Sequence, residues 1–299
     1  MKRVIVAGAA GYVGRNLVAA LEGRAEVVGV DVAPGFLHPD GLGGLEGPFD
    51  AFVNLAWRGK GGPARADYAL QMDSVKTALD FYREAVRLGC RRFICTGTIG
   101  ELMVELPECA GLRSRNFIYI NAKNFLHRSL RALEDTDGCR VVWARLGNLY
   151  GGGDSGGNIV DYTVGRLVAG EKAVFGPAEQ PYDFVHARDC ASALAALAVS
   201  ERPLEGEFYV GSGDVRPLKD YLVEIGRIAG RPDLIEIGGR PDDGTRYRAE
   251  WFSIERLASE TGYRPATGFE DGVRDLLAKR PFDMEAPARS RTSPGTRNS

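Results

Sequence analysis

No apolar stretch of about 18 residues runs uninterrupted through the 299-residue chain, so no membrane-spanning helix is expected. An excess of charge of either sign is also missing. The chain has 38 Lys and Arg against 40 Asp and Glu, a formal charge of −2, whereas a nucleic-acid-binding protein would carry a basic stripe. Histidine is scarce, with three residues and no spaced partners, so no metal site is expected. The five cysteines (Cys90, Cys95, Cys109, Cys139 and Cys190) form no CxxC pair and are odd in number. That argues against a disulfide framework and for free thiols in a reducing cytoplasm.

Glycine is in surplus: 39 residues, nearly twice the ~7% average. Some part of the chain needs tight turns or close backbone approach. Met1-Lys2-Arg3 followed by an apolar run to Ala10 superficially suggests a signal peptide. Gly8, Gly11 and Gly14 interrupt that run and Arg15-Asn16 end it, so a strand and a turn are expected instead.

At ~150 residues per domain the length suggests about two domains. In the first half, β-branched runs at 3–7, 26–32, 51–56, 92–96 and 140–146 alternate with helical spacing at 13–21, 68–88 and 123–133. Strands alternating with helices of this length predict an α/β fold: a doubly wound parallel sheet of the Rossmann type, buried on both faces. The glycine cluster at 151–157 reads as a mobile loop, and shorter elements follow it. The expected division is a dinucleotide-binding domain over 1–150 plus 183–200, and a smaller interwoven C-terminal substrate lobe over 151–182 and 201–280. The Pro-, Ser- and Arg-rich stretch 281–299 is expected to be a disordered tail.

Gly8-Ala9-Ala10-Gly11-Tyr12-Val13-Gly14 lies between a strand and a helix, where missing side chains let the backbone approach a pyrophosphate at the helix N-terminus. Asp31 ends the next strand, about 20 residues on, at the position of an acid that accepts from ribose hydroxyls. It would also repel a 2′-phosphate, and no Arg follows at 32–35, so NAD is expected rather than NADP. Tyr119 and Lys123 stand at i and i+4 on one helix face. An ammonium there, beside a bound nicotinamide, would lower the phenol's pKa from its ordinary ~10. Thr98 closes the preceding strand, where an open parallel sheet places ligands, though the simplest role for its hydroxyl is capping a turn.

Together these residues resemble the extended short-chain dehydrogenase/reductases, the NAD-dependent epimerase/dehydratase branch acting on nucleotide sugars. The resemblance covers about residues 2–277. It rests on GAAGYVG, Asp31, NLA at 54–56, TGT at 96–98, YINAK at 119–123, RLGNLYG at 145–151, YDFVHARD at 182–189 and GYRPATGFEDGV at 262–273. It implies that Tyr119 is the catalytic acid/base, that Lys123 is its partner and a nicotinamide-ribose ligand, and that Thr98 polarises the sugar. Gly8, Gly11, Tyr12, Val13, Gly14, Asp31, Leu55, Ala56 and Thr96 would complete the cofactor site. Trp57, Arg58, Asn148, Tyr182, Arg240 and Arg246 are the candidate substrate residues, with Trp57 and Arg58 bordering the sugar and Asn148, Arg240 and Arg246 facing a diphosphate. The resemblance also implies a homodimer.

Two departures narrow the reaction. The family's sugar dehydratases carry Asp-Glu after the catalytic hydroxyl, whereas Ile99-Gly100 follow Thr98. The family's diphosphate-gripping Arg before Asp-Phe is replaced by Tyr182, as in reductases of nucleotide-linked 4-ketosugars. The expected activity is therefore reduction of the C4 ketone of a nucleotide-linked deoxysugar. The alternatives are an NAD-dependent nucleotide-sugar 4-epimerase and a non-catalytic NAD sensor, the latter disfavoured by the intact Thr98, Tyr119 and Lys123. His186 is expected to pack beneath the second lobe, and Cys95 to be a small buried hydrophobe.

Overall fold

In the computed structural model, which describes residues 1–109, 114–152 and 158–279, alternation along each central strand decides which core its side chains enter. In β1 (Lys2–Ala7), Val4 and Val6 enter one core, and Ile5 and Ala7 the other. β3 (Ala51–Asn54), β4 (Arg92–Thr98) and β5 (Arg140–Leu146) repeat the pattern, with Ala51, Val53, Ile94, Val142 and Ala144 on one side. Phe52, Phe93, Cys95, Val141 and Trp143 lie on the other. A period of two with apolar residues on both faces makes a sheet that helices must cover twice.

With β2 (Ala25–Val30) and β10 (Gly206–Val210) these strands form a six-stranded parallel sheet in the order β10-β5-β4-β3-β1-β2. Two helices cover one face: α1 (Tyr12–Leu21), through Leu17 and Leu21, and α5 (Ala187–Val199), through Leu194 and Leu197. The other face is covered by α2 (Tyr68–Arg87), through Val75, Phe81 and Tyr82, and by α3 (Asn116–Asp137), through Leu126 and Leu130. The strand order reverses at β1, with β2 on one side and β3 on the other. The crevice between the β1 and β3 ends is where such a sheet binds ligands.

A second lobe is gathered around its own core of Tyr150, Val164, Phe184, Tyr221, Ile225 and Phe269. Its elements are β6 (Asn148–Tyr150), α4 (Ile159–Val168), β7 (Ala173–Val174), β8 (Pro181–Tyr182), β9 (Phe184–His186), β11 (Arg216–Pro217), α6 (Leu218–Ile228), β12 (Ile235–Glu236) and α8 (Phe269–Ala278). Three two-stranded pairs, β6-β9, β7-β12 and β8-β11, stitch it together.

The expected division needs one correction. Residues 206–210, assigned from sequence to the substrate lobe, form the edge strand of the main sheet in parallel register with β5. Phe208 and Val210 bury into the same core as Leu257 of α7 (Glu255–Thr261) and Tyr263. The crossover through α5 returns the chain to the sheet, as parallel connections do, and an apolar edge gains more by pairing than by standing alone. The tail at 281–299 and the glycine-cluster residues 153–157 lie outside the described residues.

Candidate active site

The glycine turn is built for closeness. Gly8 has φ of +82°, and a Cβ there would lie 2.8 Å from Ala56 N and 3.0 Å from Leu55 C. A Cβ on Gly14 would meet Gly8 O at 2.1 Å and Ala9 Cα at 2.8 Å. Leu55 and Ala56, which follow β3, thus press on the turn after β1. Leu55 N donates to Ala7 O at 2.9 Å, and Ala56 N to Asn54 Oδ1 at 3.1 Å. Gly11 is the N-cap of α1 and no side chain caps that helix, so its first-turn amides are left for another acceptor. Val13 packs on the core, and the Tyr12 hydroxyl donates to Tyr150 O at 2.9 Å, tying the turn to the second lobe. Asp31 accepts from Ala10 N and Ala33 N, both at 3.1 Å, which fixes its carboxylate against the turn.

The structure brings Tyr119, Lys123 and Trp57 together at the carboxyl end of β4, the strand that Thr98 closes. Thr98 caps a short helical segment, Ile99–Glu105. Its Oγ1 accepts from Gly100 N at 3.4 Å and its N–H donates to Glu101 Oε1 at 2.7 Å. The capping role is therefore filled, and the hydroxyl keeps its proton for another acceptor. Glu101 is fully buried, and its Oε2 accepts from Trp143 Nε1 at 2.8 Å and Arg145 Nε at 3.3 Å. Burial raises its pKa despite these donors. Lys123 is buried and donates to Thr96 O at 2.7 Å, and its ammonium lies 3.6 Å from the centre of the Trp57 ring. The Trp57 ring meets Tyr119 edge-on at 6.1 Å and is anchored by Nε1 donating to Gln71 Oε1 at 2.8 Å.

Burial pushes the Tyr119 phenol up to about 12, and among charges it is Arg65, not Lys123, that most opposes the rise. Burial also lowers Lys123 to about 8.

Comparison with known proteins adds the family. Residues 4–211 match the NAD dependent epimerase/dehydratase family. The chain belongs to that family. A dTDP-glucose 4,6-dehydratase of Actinoplanes sp. is 28% identical over 152 residues, 49% of this chain and 46% of the relative, so the chain spans about half the length of the curated relative it matches. The structure of RMD from Pseudomonas aeruginosa complexed with NADPH superposes with a TM-score of 0.73 at 23% identity, covering 93% of this chain and 98% of that one. The UDP-glucose 4-epimerase of Thermus thermophilus, complexed with NAD, gives 0.72 at 22% identity, covering 92% and 98%.

As a member of the NAD dependent epimerase/dehydratase family, the chain uses a nicotinamide dinucleotide, and the residues present fit one. The cradle has no room for side chains at Gly8 and Gly14, the α1 amides are uncapped, and an acid stands at the end of β2.

The remaining expected substrate residues divide. Tyr182 is half-buried and packs 5.8 Å from Tyr247, which also touches Trp251 and Phe252. Burial carries the Tyr182 phenol far above its ordinary range, and Arg65 opposes that rise as it does at Tyr119. Asn148 is occupied: its amide donates to Asp183 O at 3.2 Å and holds β6 against β9. Arg58 points outward to Asp73 at 3.6 Å. Arg240 is exposed and reaches Tyr162 Oη at 3.1 Å. Arg246 is exposed and forked onto Asp242 at 2.8 and 3.2 Å. Each arginine has a partner in its own lobe, for Arg240 a neutral hydroxyl and for Arg246 a carboxylate. His186 is buried as expected and caps α5, accepting from Arg188 N at 3.2 Å. Cys95 is buried, and its sulfur accepts from Asn54 Nδ2 at 3.6 Å.

Sequence reasoning missed Arg65, Gln71 and Tyr247. Arg65 lies in a short helical segment, Gly62–Ala66, between β3 and α2. The available signal was positional: that segment follows the carboxyl end of a central strand, where ligand-facing loops occur.

Proposed function

We propose that the protein reduces the C4 ketone of a nucleotide-linked deoxysugar. The observation that carries this reading is Tyr182, which stands before Asp183-Phe184 where the family's epimerases and dehydratases carry a diphosphate-gripping Arg, and which packs against Tyr247 at 5.8 Å. NADH, when bound, supplies the hydride. Thr98 donates its hydroxyl hydrogen to the ketone oxygen, Tyr119 delivers the proton to that same oxygen, and Lys123 holds its charge against the strand end. Trp57, Tyr182 and Tyr247 form an apolar wall that excludes water from the carbonyl.

Dehydration is disfavoured by the same geometry. The nearest acid after Thr98 is Glu101, whose two oxygens are committed to Thr98 N, Trp143 and Arg145. A 4-epimerase is the second reading, favoured by Asp31: its carboxylate at the glycine turn selects NAD, which cells keep mostly oxidised. The test is to purify the protein, assay it for retained NAD(H), and mix it with NADH and a nucleoside-diphosphate-4-keto-6-deoxyhexose. Ketone-dependent NADH consumption supports the reductase. Retained NAD without consumption supports the epimerase.

Two copies would pair through α2 and α3, which lie side by side and leave Tyr68, Met72 and Phe125 exposed. Five buried free thiols support a cytoplasmic site of action. No helix among the described residues is long and apolar enough to cross a membrane.

A further inference from the structure

We infer that Arg65 is a positioning residue for Tyr119, its guanidinium stacked on the phenol ring to supply the positive charge against which the hydroxyl releases its proton. The guanidinium carbon lies 4.4 Å from the ring centre. An arginine in a cleft ordinarily finds a carboxylate, because a bidentate pair satisfies its fork. Among the described residues Arg65 has no ion pair and no hydrogen bond, and its Nε is buried without an acceptor. Its charge has no carboxylate partner, and Tyr119, Tyr182 and Tyr247 lie within its reach.

The groups that act electrostatically on Tyr119 come from every side. Arg65 arrives from the 62–66 turn, Glu101 from the turn after β4, and Tyr247 from the second lobe. Lys123, on the same helix, donates to the neutral Thr96 carbonyl and is not among the charges that act most on Tyr119. Glu101 and Tyr247 both oppose ionisation of the phenol, and Arg65 is the charge that favours it. The same guanidinium acts on Tyr182 and Tyr247 in the same direction. In water a stacked guanidinium adds little beyond packing. In a desolvated cleft a unit charge a few ångströms away is worth much more, and the phenolate that forms as Tyr119 gives up its proton is the species it stabilises. Packing alone is the competing account, and it makes a different prediction: a methionine would replace the stacked stem, whereas only a cation would replace the charge.

The inference rests on Tyr119 being the proton-transfer group, but its test does not depend on the substrate. A ring-fluorinated tyrosine, more acidic than tyrosine itself, is placed at position 119 of the full-length protein, and its fluorine resonance is followed against pH. Arg65→Met should raise the apparent pKa at 119 by about one pH unit, and Arg65→Lys should restore most of that shift. An unchanged pKa in a folded Arg65→Met protein overturns the inference, as does a shift in Arg65→Lys as large as that in Arg65→Met. If Arg65→Met fails to fold, Arg65→Gln, which keeps a polar planar end without charge, is read in its place. Activity of Tyr119→Phe, measured separately, reports on the proton-transfer reading alone, so the two failures are distinguishable.

Discussion

Lys123 stands one helical turn from Tyr119, yet its ammonium donates to the carbonyl oxygen of Thr96 at 2.7 Å and lies under the Trp57 ring. The contact binds α3 to the end of β4 at the cost of burying a charge. Burial lowers the lysine's pKa from 10.5 to about 8. A folded value below the unfolded one means that the unfolded chain holds more protons across that window. Stability contributed at this site therefore rises as pH climbs from about 8 to 10.5, and is lowest below 8. Comparing the parent with Lys123→Met by urea denaturation should show the difference moving in the parent's favour by about 2–3 kcal/mol between about pH 7 and pH 10.5. A difference that stays flat would mean that the lysine titrates normally.

The Tyr119 hydroxyl has no hydrogen-bond partner among the described residues, so removing it leaves nothing behind unpaired. Tyr119→Phe should therefore keep the parental melting temperature and dinucleotide affinity while losing turnover by ~10²–10⁴-fold, the usual contribution of a general acid. Fluorescence titration with NADH and a steady-state assay with the 4-ketosugar measure the two properties. Parental turnover would remove Tyr119 from the reaction.

The parallel sheet was legible in the sequence because its signal is local: β-branched runs with apolar residues on both faces can be read one segment at a time. The glycine turn and the Tyr119–Lys123 pair were legible for the same reason, being short spacings. What could not be read was the set of partners each charge would choose. Arg246 looked available until Asp242, four residues earlier, folded back onto it, and Asn148 looked free until β9 brought the Asp183 carbonyl beside it. Arg65 went unnoticed because nothing in its own segment marks it. Its role depends on α3 and residue 247, which are distant in sequence. The sheet's last strand was misassigned for a related reason, since Gly206–Val210 is separated from its neighbour β5 by half of the second lobe.

Cofactor choice can be tested at Asp31, whose two oxygens accept from Ala10 N and Ala33 N. Those bonds give the carboxylate a structural duty in addition to any contact with ribose. Asp31→Asn keeps an acceptor and removes the charge. It should relax the preference for NAD over NADP, and because its NH2 cannot accept from the second N–H it should cost some stability, less than Asp31→Ala. Asp31→Ala removes both acceptors and should additionally cost about 1–3 kcal/mol, because part-buried amides lose their partner. Parallel titrations with NADH and NADPH read the preference. If Asp31→Asn discriminates as the parent does, the acid does not face the ribose.

The glycine turn makes a prediction that reverses the usual rule for helices. Replacing glycine by alanine inside a helix ordinarily stabilises by ~1 kcal/mol, because alanine loses less backbone entropy on folding. Gly165, inside α4, has open space around the position a Cβ would take, and Gly165→Ala should follow that rule. Gly14 is also inside a helix, but a Cβ there would sit 2.1 Å from Gly8 O and 2.8 Å from Ala9 Cα. Both obstacles are backbone, so no side-chain rotation relieves them. Nor can the turn retreat, because Gly8 is itself pressed against Ala56 N. Gly14→Ala should therefore destabilise by about 1–3 kcal/mol, the range for overpacked sites, and weaken NADH binding by shifting the turn that approaches the pyrophosphate. Thermal melts of the two variants, with and without NADH, give the comparison. Opposite signs are expected for the two, with the NADH-induced rise in melting temperature kept by Gly165→Ala and lost by Gly14→Ala. A stabilised Gly14→Ala that still gains from NADH would show that the close approach of the turn to the helix is not required.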